Sequence, residues 1–433
     1  MEDASVELDR MADPPGNPKV LWISSLAFTL GFAVWGMFSA LAPFLIKWYS
    51  FSVAQVLLLA AMEPLFAAAV SIPLGIWTDK FGGRLVFTIL LLTITMSLFL
   101  GLYAESYYSF LFLGTLLGLG GASFVVGAAH VSSWYPKSKQ GTALGIFAMG
   151  NVGITVGMMT VTFLVTRVLE GPEGWRMIFP IFAVFTLLMA LVYWFFTSDA
   201  PHQQHKDASL REIVAVYRSG VVVWLVPALY WVSFGTLTFF ASFIPTYLVD
   251  RWHVDAARAT MVYTPLLVIC VAMARPLGGW LADRFDVLKI LSWMFGIMVV
   301  LAVVMAMQIS LRVELFTIYG LALLSGAAAA AVIKLIPLYF KEVGAVSGLA
   351  KAAGAACGFT MTMTLAASKN LLGGYTFGFA IWALMNAGAL YVTLSRVGFK
   401  HAKPAIEAIP SGDDTDRSRP IQTSLPNSAT RTG

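Results

Sequence analysis

Twelve stretches of this chain are apolar for about 20 residues or more, with short polar loops between them. About 20 apolar residues is the length a helix needs to cross the hydrocarbon of a bilayer. The stretches run over 20–46, 53–78, 85–104, 108–133, 141–167, 177–197, 220–248, 258–282, 288–309, 314–338, 345–371 and 375–397. With 58% hydrophobic and 12% charged residues among 433, the chain holds more apolar surface than a soluble fold of this length buries. The expected fold class is therefore an all-α polytopic membrane protein.

The net charge of +5 does not point to nucleic acid, because the basic residues lie mainly between the apolar runs. They report topology instead. One set of loops carries Lys80 and Arg84, Lys137 and Lys139, Lys206, Arg211 and Arg218, Arg284 and Lys289, and Lys341. The opposite set carries Lys47, Arg167, Arg176, Arg251, Arg258, Arg312 and Lys369, often beside Asp or Glu. The bias puts both termini in the cytoplasm. Residues 1–19 are polar and acidic, so the first apolar run is expected to be an uncleaved span. Cys270 and Cys357 lie inside apolar runs without a CxxC or a histidine cluster, and read as small apolar filler.

The chain repeats itself. "GIWTDKFGGR" begins at Gly75 and "GGWLADRFD" at Gly278, and their aspartates, Asp79 and Asp283, are 204 residues apart. Gly141 and Gly145 recur as Gly344 and Gly348, 203 residues on. Two six-helix halves related in parallel follow, over 20–197 and 220–398. A cytoplasmic segment 1–19, a polar cytoplasmic connector 198–219 and a disordered tail 399–433 are expected around them. Glycine costs about 1 kcal/mol relative to alanine inside a helix, yet the fifth span carries Gly141, Gly145, Gly150 and Gly153, and the eleventh Gly344 and Gly348. Small residues at such spacing make a flat strip that admits a second helix at close range.

The loop "GIWTDKFGGR" resembles the motif of the major facilitator superfamily between its second and third spans. There Gly75, Asp79 and Arg84, with Asp283 and Arg284 in the second copy, would form a gate. "PKSKQGTALGIFAMGNVG" (136–153) and "VIKLIPLYFKEVGAVSGLAKAAGAACGF" (332–359) resemble the two signatures of the nitrate/nitrite porter family. The resemblance covers about residues 20–398. It implies alternating-access secondary transport of a small inorganic anion, with no cofactor, across a bacterial cytoplasmic membrane. A second reading is a diverged relative with another cargo. That could be a carboxylate, or iron-related transport in an organelle membrane such as that of the magnetosome. A membrane sensor or scaffold that transports nothing ranks last.

Members of that family carry one arginine in the second span and one in the eighth, facing each other on nitrate. Arg275 matches the second. The repeat-equivalent position eight residues before Asp79 is Ser71, so one arm is missing. Lys351 and Ala355 also stand where the family has glycine. Phe124 matches an aromatic that sandwiches the anion, and Phe239 and Phe240 fall where the family places aromatics.

Ionisable groups inside spans are costly and are functional candidates by default. Glu63, Arg275, Lys334 and Lys351 stand there. Three cations suit an anion, and an arginine fork suits a planar oxyanion best. Lys334 offers a point charge, and Asn151 an amide. Glu63 reads as a counter-ion to Arg275 or Lys334, or as a proton carrier. Lys351, seven residues into its span, is expected to snorkel to the cytoplasm. His130 receives no role. No metal site, P-loop, dinucleotide fingerprint or HExxH is present, and no enzyme activity is expected. The expected partners are a small anion, lipid and a proton or counter-anion, but no nucleic acid. Reporter fusions after Ser198 and after Lys400 should both report the cytoplasm; an external signal from either overturns the orientation.

Overall fold

The computed structural model describes residues 14, 16–51, 53–169, 174–201, 210–255 and 258–400. Most of segment 1–19, the centre of the 198–219 connector and the tail from 401 lie outside the described residues. The first six spans are α1 (Pro18–Trp35, continued beyond Gly36 by Met37–Tyr49), α2 (Val53–Phe81), α3 (Gly83–Leu100), α4 (Tyr107–Trp134), α5 (Gln140–Val168) and α6 (Ile178–Phe196). The second six are α7 (Val222–Trp252), α8 (Thr264–Arg284), α9 (Val287–Met307), α10 (Leu311–Tyr339), α11 (Val343–Leu372) and α12 (Thr376–Ser395). Among the described residues, ten helical stretches are long and apolar enough to cross a membrane. The other two, α2 and α11, are 29 and 30 residues long and run through the middle of the bundle.

In lipid a backbone must satisfy its own polar groups, so each span is a helix with a defined start. Asn17 caps α1 by accepting from the Val20 amide at 3.2 Å, with Pro18 in the first turn. Asp286 caps α9 in the same way through the Lys289 amide at 3.1 Å. The faces are inverted relative to a soluble bundle. On α3, Ile89, Leu92, Met96 and Phe99 are exposed, while Thr88 and Thr95 point inward. Thr95 donates to Thr186 of α6 at 2.8 Å, joining the two spans by a buried hydroxyl pair.

Each half packs mainly within itself, and the halves meet through α2 with α11, α5 with α8, α5 with α10 and α4 with α11. The tightest of these crossings lie at the face that carries Lys139, Arg284 and Lys341, called the basic face below. There the glycine strips do what their spacing implies. A Cβ on Gly75 would sit 2.0 Å from the Gly344 carbonyl oxygen, and one on Gly279 would sit 2.0 Å from the Gly141 carbonyl oxygen. One turn deeper, Gly348 meets the Ser71 carbonyl at 2.5 Å and Gly145 meets the Arg275 carbonyl at 2.6 Å, again measured to an added Cβ. Gly150 and Gly153 serve a different contact, against Phe28 and the Thr29 carbonyl of α1 within the first half. Gly150 lies in a 3-10 turn, Met149–Val152, that interrupts α5.

These distances predict an effect for a single methyl. Gly75→Ala or Gly279→Ala should weaken closure of the basic face by about 1–3 kcal/mol, roughly 5- to 150-fold in population. Spin labels on the basic-face ends of α2 and α11, or of α5 and α8, should then report longer distances. Gly388, with no atom within 4 Å of an added Cβ, is the control whose alanine variant should leave the distances unchanged. Unchanged distances in the first two variants would mean that the crossing is loose.

Candidate functional site

The basic face is held by one interaction used twice. Asp79, at the end of α2, accepts from the amides of Gly344 and Ala345 at 2.8 Å each, and so caps the start of α11 in the other half. Asp283, at the end of α8, accepts from the Gly141 amide at 2.8 Å, the Thr142 amide at 2.6 Å and the Thr142 hydroxyl at 2.7 Å. It thereby caps α5. A carboxylate at a helix N-terminus gains both from the free amides and from the helix dipole.

Lys334 joins this lock rather than the pore. Its ammonium donates to Asp283 at 2.8 Å and to the Lys137 carbonyl. The expectation that it binds substrate is therefore corrected, because its charge is already neutralised at the basic face. The two arginines of the loop motifs lie against tryptophans. Arg84 stacks over Trp194 and donates to the Trp194 carbonyl at 2.9 Å, and Arg284 stacks over Trp280. Their guanidinium groups rest on indole rings rather than on the motif aspartates.

Two turns deeper from Asp283 lies Arg275, with no exposed surface. Asp283, Gly279 and Arg275 are spaced by four, so one face of α8 carries the lock, the glycine contact and the cation. The guanidinium carbon stands 5.3 Å from the Phe234 ring centre. The Tyr230 phenol interacts with it electrostatically. None of its three nitrogens completes a hydrogen bond among the described residues.

Lys351 approaches the same ring. Its ammonium lies 4.0 Å from the Phe234 centre, 4.9 Å from Phe32, 5.7 Å from Phe124 and 5.8 Å from Trp35. The residue is 2% exposed, so it does not snorkel to the basic face. Its position explains this. Gly344, Gly348 and Lys351 follow the i, i+4, i+7 pattern of one helix face, which is turned toward the first half by the glycine contacts. No hydrogen bond or ion pair reaches Lys351 among the described residues, although it senses the charge of Arg275.

The other candidates divide. Phe124 is central: it stacks on Tyr230 at 6.3 Å across the halves and packs on Phe28 at 5.5 Å. Asn151, in the 3-10 turn, donates to the Ala148 carbonyl at 2.8 Å and keeps its buried oxygen unpartnered. Ser71 donates to the Ala67 carbonyl of its own helix at 2.6 Å and brings no charge. Phe239 and Phe240 pack on each other, with Phe239 against Trp382 of the second half. No recorded contact places either ring at Arg275. Glu63 is buried with one oxygen unpartnered, and no ionic contact links it to Arg275, Lys334 or Lys351, which corrects the counter-ion reading. Tyr230, Phe234, Phe32 and Trp35 were not singled out in the sequence. Their signal is the 3.6-residue spacing of Tyr230 and Phe234 on α7, which only gains meaning once Arg275 is opposite. Among the described residues, no three His, Cys, Asp or Glu side chains stand together as a metal site would require.

The Major Facilitator Superfamily profile matches residues 23–362. A relative from Thermus thermophilus, named a probable nitrate/nitrite antiporter, is 35% identical over 83% of this chain and 86% of its own. A nitrite extrusion protein from Bacillus subtilis is 29% identical over 83% and 89%. Among solved structures, the human organic anion transporter MFSD10 superposes with a TM-score of 0.72 at 12% identity, over 87% of this chain and 100% of that one. The transporter FucP in its outward conformation gives 0.71 at 16% identity, over 87% and 99%. At such identities the two structures speak for the fold alone.

The lock carries its own test. Asp283→Asn should lower the melting temperature in detergent more than Lys334→Met does. Asparagine leaves Lys334 unneutralised and turns an N–H toward an amide donor, at about 1–3 kcal/mol for the unmet group. Lys334→Met leaves Asp283 with three donors at a helix start. The reverse order would place the weight of the lock on the ion pair.

Proposed function

The chain belongs to the Major Facilitator Superfamily, and on that premise we propose that it carries a small planar oxyanion of the nitrate or nitrite class by alternating access. It is a multi-pass protein of the bacterial cytoplasmic membrane and works as a secondary transporter. The observation that carries the substrate class is Arg275: a guanidinium without exposed surface, with no acidic partner among the described residues and only the Tyr230 phenol beside it, facing an aromatic wall at the junction of the halves. A buried charge without a partner is expensive, and a bound anion supplies the acceptors that the protein withholds. The guanidinium fork matches the parallel oxygens of a planar oxyanion, and the ring faces match its flat shape. The relatives named for nitrate and nitrite support the same chemistry. The basic face, on this reading, is cytoplasmic, and the aspartate lock is the closed inner gate. A proton or a counter-anion moves with each cycle.

The experiment is uptake into proteoliposomes from a panel of nitrate, nitrite, carboxylates and iron chelates, with and without a proton gradient. Nitrate or nitrite should be taken up. Arg275→Lys should lower uptake by about tenfold or more at equal expression, because the ammonium keeps the charge and loses the fork. Uptake of a carboxylate or a chelate instead would overturn the substrate class.

A further inference from the structure

We infer that Lys351 is the second cation of the anion site, and that it stands in for the charge that Ser71 lacks. The inference rests on the reading just given and names a residue that the family pattern does not supply. Ser71 is occupied with the carbonyl of Ala67 and adds only a hydroxyl that is already donating. The chain is not thereby left with half a clamp. A lysine occurs instead in α11, at a position where the resembled family has glycine.

Three observations carry the assignment. Lys351 and Arg275 share one ring, with the ammonium 4.0 Å and the guanidinium carbon 5.3 Å from the centre of Phe234. Arg275 is the charged group whose field reaches the Lys351 ammonium. Neither has an acidic partner among the described residues. Ring faces attract a cation, but they do not carry the full negative charge that balances two of them out of water. A structural pair would have an aspartate or glutamate beside it, as Lys334 has Asp283. Of the buried acids in the spans, Glu63 has no ionic contact with either, and Glu314 accepts from Tyr247.

Polar groups around the pair are in the same condition. The Trp35 indole N–H is buried without a hydrogen-bond partner and its ring lies by Lys351, while the Tyr230 phenol has the Arg275 guanidinium beside it. Groups on α1, α7 and α8 thus surround the α11 ammonium without a carboxylate among them. A small oxyanion between Arg275 and Lys351, walled by Phe234 and Phe124, satisfies them together.

The test is nitrate- and nitrite-dependent thermal stabilisation of the purified full chain. Lys351→Met keeps the length and removes the charge, Lys351→Arg keeps the charge, and Lys351→Gly restores the residue of the family and guards against misfolding of the methionine variant. Lys351→Met and Lys351→Gly should each weaken binding by about tenfold or more, and Lys351→Arg should stay near wild type. A packing role predicts the opposite order, with methionine tolerated. Wild-type affinity in both neutral variants, while Arg275→Ala loses binding, overturns this inference and leaves the proposed function standing. A wild type that neither ion stabilises overturns both.

Discussion

Two aspartates, each capping a helix that belongs to the other half, set the height at which everything deeper in the molecule meets. Asp79 fixes the start of α11 and Asp283 the start of α5. From these points each helix rises past a glycine contact one turn on, Gly348 on the Ser71 carbonyl and Gly145 on the Arg275 carbonyl. The next residue in register on α11 is Lys351, and the carbonyl that Gly145 of α5 meets is that of Arg275 itself, on α8. Were the caps shifted by one residue, each face would turn by about 100°, and the two cations would no longer share Phe234. The lock at the basic face and the charge at the centre are therefore one construction. Breaking the lock also releases four helix-start amides, which need water, so opening that face is coupled to wetting it.

The centre is the reverse of the lock in its electrostatics. At the basic face the buried charges Asp79, Asp283 and Lys334 each have a partner within hydrogen-bond reach. In the middle, Arg275 and Lys351 have aromatic rings and each other. An ionisable group in a span costs about 2.5–3.5 kcal/mol on insertion scales, and two of like sign add repulsion. Such an arrangement persists where function demands it, because an anion converts the deficit into binding.

The parts that were legible in the sequence are those governed by period and repetition. The spans follow from apolar length, and their helices run only a few residues past the expected edges, as α2 does to Phe81 and α7 to Trp252. The 204-residue repeat of Asp79 and Asp283 predicts equivalent environments, and the two caps show them. The equivalence of Ser71 with Arg275 likewise reappears as two matching carbonyl contacts with Gly348 and Gly145. What stayed hidden depends on direction across the interface. Seven residues into a span, a lysine can turn to the membrane surface or to the pore, and only the contact face of α11 decides. Lys334 looked like a pore cation because its partner, Asp283, is 51 residues away on another helix. Tyr230 and Phe234 are two aromatics in a chain that is 13% aromatic, so no composition argument separates them from the lipid-facing ones.

The placement of both cations has a consequence for how binding drives the cycle. Arg275 on α8 and Lys351 on α11 belong to the same half. An anion between them does not by itself draw the two halves together, as it would between cations on opposite halves. The first half contributes neutral groups instead: Phe32 and Trp35 of α1 and Phe124 of α4, all against Lys351. On the assignment inferred above, the ammonium spans the junction, with an anion on one side and the rings of the first half on the other. When an anion neutralises it, those cation–π contacts weaken, and each is worth about 0.5–2 kcal/mol in a desolvated site. Binding then loosens the grip of Lys351 on the first half while tying the second half together. The bias is toward relative motion of the halves and does not clamp them shut, which is the sign a carrier needs to leave a closed state once its cargo is aboard.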